Sequence, residues 1–167
     1  MAKVSFKGGD DFGVRLEKLG QMNARASIER AVAKGAGIVA DAIREAIQML
    51  TETGDGYERR GSAQHLLSSI TAKQKKGLLE GFGISPVQAD KSGFVNRKLG
   101  FDGYNEVKTK KYPKGQPNVL IARSVNSGTS FRAKTRFLDK AVNRSRKKAV
   151  EAMDESINSD IAEIFEG

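Results

Sequence analysis

One histidine, no cysteine and twenty carboxylates bound the chemistry open to this chain. His65 stands alone. A paired-histidine metal site, a thiolate site and the usual histidine-activated nucleophiles therefore lack the residues to build them. Adjacent carboxylates occur at Asp10-Asp11 and Asp154-Glu155. That residue type is what a Mg²⁺-dependent nuclease would use. Each pair has a plainer reading. Asp10 or Asp11 sits where a short helix is capped, and Asp154 and Glu155 lie on the solvated side of a helix. No glycine-rich phosphate loop with its lysine occurs. The residues predict no catalytic centre, no bound metal and no cofactor.

Positive charge is the stronger signal. The 167 residues carry a formal net charge of +9. Residues 108–148 hold 13 basic residues against one acid, Asp139, whereas 149–167 hold six acids and no Lys or Arg. Two groups stand out as contact residues. Lys108, Lys110, Lys111 and Lys114 share a polar segment with Tyr112, and Arg144, Arg146, Lys147 and Lys148 lie together near the start of a long terminal helix. Such groups bind phosphate backbones without sequence preference. They equally suit acidic protein surfaces, and a lone Tyr112 is a poor base-stacking platform. The terminal helix starts basic and ends acidic, against the preference of the helix dipole. Head-to-tail packing between copies would make use of that polarity.

The elements follow from periodicity. Residues 23–50 read as a helix with Ile28, Val32, Gly35, Val39, Ile43, Ala46 and Leu50 on one stripe. Gly35 and Gly37 inside it are tolerable where another element crosses closely. Residues 1–9 read as an arm. A short helix carrying Phe12, Leu16 and Leu19 follows, and a second with Leu66, Leu67 and Ile70 starts at Ser62. From 71 to 101, recurring glycines between short apolar runs predict an antiparallel sheet of three or four strands, one face covered by the two long helices. Residues 103–115 read as an exposed basic loop. Pro117 opens a short helix that Gly128 ends, a cationic strap (Arg132, Lys134, Arg136) follows, and the terminal helix starts at Phe137. The fold class is α+β: a small antiparallel sheet packed against two long helices, with short extra helices. At this length, 1–167 is expected to form a single domain. No apolar run reads as a signal peptide or membrane span.

Three pieces in order carry a family resemblance. The first is Thr53-Gly54 followed by Leu66-Leu67-Ser68-Ser69-Ile70. The second is Leu99-Gly100-Phe101-Asp102-Gly103-Tyr104. The third is Pro117-Asn118-Val119-Leu120-Ile121-Ala122-Arg123, running into Ser127-Gly128-Thr129-Ser130, Phe137-Leu138 and Ala141. Together they resemble the gene-product-ten-like morphogenesis proteins of long-tailed phages, the tail-completion or head–tail joining class, over about residues 31–153. This chain departs in two places. The gap from Thr53-Gly54 to Ser69-Ile70 holds an insertion, TGDGYERRGSAQ, and Arg136 stands before Phe137 where the family often has proline, which predicts a less sharply defined helix start. The resemblance implies a non-enzymatic subunit of the virion neck or tail, assembled in the bacterial host cytoplasm. It implies a homo-oligomeric ring, a hexamer before a dodecamer, at the head-proximal end of the tail. Its neighbours would be neck, connector and tail-tube proteins, with non-specific contact to passing DNA and no membrane. The alternative reading is a non-specific nucleic-acid-binding protein using 108–148.

Overall fold

The structure is a computed structural model that describes residues 24–53, 70–130 and 132–166. The expected arm, the helix after Asp10-Asp11, His65 and residues 54–69, with the insertion beyond Thr53 and most of the helix expected from Ser62, lie outside the described residues, while Ile70, expected on that helix, is strand. Elements run in the order α1 (Ala24–Gln48), β1 (Glu52–Thr53), β2 (Ile70–Thr71), α2 (Ala72–Gly81), β3 (Phe82–Ile84), β4 (Gln88–Ala89), β5 (Val95–Asn96), β6 (Leu99–Phe101), α3 (Asn118–Ser127) and α4 (Phe137–Glu166). The class is α+β, as the sequence predicts.

The two long helices lie against each other along most of their length and run antiparallel. Glu45 meets Arg144, Gly35 meets Met153, and Arg30 meets Asp160. On α4 the buried positions Phe137, Ala141, Ser145 and Ala149 recur every fourth residue, one helical face. Of the expected stripe on α1, Gly35, Ile43 and Leu50 are buried, whereas at Ile28, Val32, Val39 and Ala46 the buried position is the adjacent residue, Ser27, Ala31, Ala40 and Ile47. Ser27 and Ala31 are buried, whereas Ile28 is 42% exposed. The reason is close approach. A Cβ on Gly35 would stand 2.6 Å from Met153 Sδ and 3.3 Å from the Ala149 carbonyl, so only small residues fit this crossing. Gly37 has open space around its Cβ position and takes no part in it.

The sheet expectation needs two corrections. First, residues 72–81 are helix, not strand. Thr71 Oγ1 accepts from the Gln74 N–H at 3.2 Å while Gln74 Oε1 accepts from the Thr71 N–H at 3.3 Å, a reciprocal capping box. Second, the strands form three separate pairs rather than one sheet of three or four strands. β3–β6 and β4–β5 are antiparallel, and β1–β2 is parallel. In β3–β6, Phe82 faces Phe101 in register with ring centroids 5.2 Å apart. The β4–β5 turn is held by Asp90, whose Oδ1 accepts from the Ser92 N–H, the Ser92 hydroxyl and the Phe94 N–H. The buried cluster runs from Ala40 through Ile43, Ile47 and Leu50 of α1 to Ile70, Leu78 and Phe82, then to Ile121 and Val125 of α3 and Phe137 and Ala141 of α4.

The start of α4 is sharp, contrary to the expectation drawn from Arg136. Asn126 Oδ1 accepts from the Leu138 N–H at 3.0 Å, and Thr135 Oγ1 accepts from the Phe137 N–H at 3.3 Å. Both satisfy donors that a helix start leaves open. Arg136 itself sits at φ 53°. Proline, fixed near φ −65°, is incompatible with that conformation. Gly128 ends α3 at positive φ, but with an extended ψ of 171° rather than the helical left-handed value.

Candidate interaction surface

The cationic strap divides by burial. Arg132 is 3% exposed, and its Nη2 donates to Gln74 Oε1 at 3.2 Å. It ties the strap to the start of α2 and is a structural residue. Lys134 and Arg136 point to solvent. A buried guanidinium has nothing in the local sequence to mark it. Gln74 had a signal, because Thr71-Ala72-Lys73-Gln74 reads as a capping box.

Lys108, Lys110, Lys111 and Lys114 are all exposed. Their segment is pinned at both ends. The Asn105 N–H donates to the Gln116 carbonyl and the Gln116 N–H to the Val107 carbonyl. Asn105 and Asn118 are buried, and Asn118 Nδ2 donates to the Asp102 carbonyl at 2.8 Å. Thr109 and Tyr112 exchange backbone hydrogen bonds across the turn. The Lys111 ammonium stands 5.5 Å from the Tyr112 ring centroid, so the one aromatic of the segment already has a cation on it.

The four cations on α4 do not form one patch. Two residues along a helix turn through about 200°, so Arg146 points away from Arg144. Arg144 Nη2 pairs with Glu45 Oε2 at 3.1 Å, and Lys147 Nζ lies 3.7 Å from Glu151. Arg146 and Lys148 are exposed without an ion-pair partner among the described residues. The loop lysines thus share one pinned segment, and on α4 Arg146 is turned away from Arg144, Lys147 and Lys148, which share a face at i, i+3 and i+4.

Helix pairing also answers part of the charge polarity. Because α4 runs antiparallel to α1, its acidic end lies beside the N-terminal half of α1, where the dipole is positive. Arg30 Nη2 donates to Asp160 Oδ2 at 2.8 Å. Hydrogen bonding from Ser27 and then from Arg30 holds the Asp160 carboxyl below its ordinary value of 3.8. Asp154, Glu155 and Glu163 remain exposed, with no ion pair among the described residues.

A surface groove of about 450 Å³ opens between the end of α1 and the start of α4. Ala46, Met49, Leu50, Phe137 and Ala141 line its apolar floor, and Lys134, Lys140 and Arg144 stand around it. Met49 is 73% exposed, and nothing in the sequence pattern distinguishes it from a core residue. Among the described residues no group of three or more His, Asp or Glu is placed to hold a metal, and no helix is long and apolar enough to cross a membrane.

The described residues thus present exposed charge, an amphipathic groove and small residues at the helix crossing. The HK97-gp10-like family of bacteriophage tail components matches residues 10–96, just over half of the chain. The chain belongs to this family, and so to the structural components of phage tails that work among other virion proteins. The matched span takes in α1 through β5, whereas α3, the strap and α4 lie beyond it. No curated protein and no solved structure matches the chain.

Proposed function

We propose that this protein is a tail-completion or head–tail joining subunit that assembles as a ring at the head-proximal end of the tail. Membership of a tail-component family over residues 10–96 carries the reading. Exposed charge supports it, since Lys108, Lys110, Lys111 and Lys114 cluster on one turn while Asp154, Glu155 and Glu163 lie at the far end of α4. Such separated surfaces suit contacts with neighbouring virion proteins and between copies. In this reading the chain has no catalytic step. It acts by occupying a position and presenting surfaces to the neck and tail tube.

The test is removal of the protein from an assembling phage. Unjoined heads and tails, or tails with an unfinished head-proximal end, are the expected products. Normal infectious particles lacking the chain would overturn the reading.

A second reading is favoured by the lysine turn alone: Lys108, Lys110, Lys111 and Lys114 would contact passing DNA through phosphates. Binding would then fall steeply with salt and show no sequence preference. Indifference of a short duplex to the protein at low salt would remove it.

A further inference from the structure

On the reading that copies of this chain assemble together, we propose that the groove between α1 and α4 receives the outer face of the distal half of α4 from a second copy. The groove asks for a partner that is both apolar and anionic. Its floor includes Met49, Leu50 and Phe137, and Lys134 and Lys140 stand beside it without an ion pair among the described residues. Arg144, the third cation there, is already engaged with Glu45.

A face of that composition lies further along the same helix. Val150, Asp154, Ile157 and Ile161 are spaced by four, three and four residues, which places them on one stripe. Val150 is 50% exposed, Asp154 is exposed, and Ile157 and Ile161 are half-buried. The stripe flanks the α1-facing positions Ala149 and Met153: packing within the chain covers part of Ile157 and Ile161 and leaves Val150 and Asp154 exposed.

The two surfaces cannot meet within one molecule. Lys140 and Ile157 are about 25 Å apart along one continuous helix. The helix cannot fold back on itself, so the match is available only between copies. Groove on one copy and stripe on the next make a heterologous contact, which propagates and closes into a ring where the rotation allows.

Charge exchange tests the contact. Lys140→Glu and Asp154→Lys each place like charges in it, and Lys140→Glu with Asp154→Lys in one chain restores opposite charges. Both positions are exposed, and circular dichroism confirms the fold of each variant. In sedimentation velocity at moderate salt, self-association of the natural chain is expected. Each single variant should weaken it roughly tenfold or more, and the double variant should recover it. Single variants that associate like the natural chain, a double variant no stronger than the singles, or a natural chain that stays monomeric across the concentration series would each overturn the proposal. Entry of each variant into phage particles judges the tail-subunit reading separately. A chain that takes its place in tails while its association ignores the exchange leaves that reading standing and removes this contact.

Discussion

Arg30 and Asp160, 130 positions apart, join the first long helix to the last through a 2.8 Å hydrogen-bonded ion pair. The pair lies where the positive end of α1 meets the acidic end of α4. It converts part of a charge pattern that reads as an intermolecular signal into an intramolecular one.

Asp160 makes this junction sensitive to acid. Its folded-state pKa is lowered from 3.8 by Ser27 and Arg30. A lowered carboxylate pKa contributes stability above the unfolded value, which is lost as pH falls through the folded value. Asp160→Asn should therefore be less stable than the natural chain at pH 7. The difference should disappear on acidification below pH 3.8, as urea unfolding at a series of pH values would show.

Two helix-interior glycines two residues apart should respond oppositely to alanine. Gly35→Ala places a methyl against Met153 and the Ala149 carbonyl and should cost about 1–3 kcal/mol through overpacking. Gly37→Ala meets nothing within 4 Å and should stabilise by about 0.5–1 kcal/mol, because it restricts the unfolded chain and favours helix. Thermal melts of the two variants decide this.

Gln74 caps α2 and accepts from the buried Arg132 guanidinium. Gln74→Leu should cost about 3 kcal/mol, combining a lost cap with a lost hydrogen bond to a buried charge. Thr71→Ala removes only the cap and should cost about 1 kcal/mol. Equal losses in denaturant titrations would show that the Arg132 contact contributes nothing.

The lysine turn should be separable from the fold. Gln116 and Val107 pair across its base, so a two-residue Asn-Gly connection in place of 108–114 keeps that pairing. Stability should stay within about 0.5 kcal/mol of the natural chain. Any nucleic-acid binding should be lost in a gel-shift assay at low salt. A large loss of stability would mean that Tyr112 and its neighbours belong to the folded core.

Local pattern settled a good deal of this protein. The existence of α1 and α4, the start at Phe137 and the short helix after Pro117 all depend on residues close together in the chain. Glycines around Leu78-Leu79 hid α2, because apolar pairs between glycines read as strand, while the threonine and glutamine that cap it stood in plain sight. Family membership was legible in the order of several weak motifs, although the matched span ends at residue 96, before the second and third of the three pieces.

What tertiary structure alone decided are relationships between distant residues. Which face of α1 turns inward depends on how closely α4 crosses at Gly35, so Ser27 is buried and Ile28 is not. Arg132 is removed from the strap's exposed charge because Gln74, 58 positions away, offers it an acceptor. The groove at Met49 exists only where the end of one helix meets the start of another. Periodicity reports that a residue has an apolar face or a charge. The partner that covers or pairs it is fixed by the packing of segments far apart in the chain.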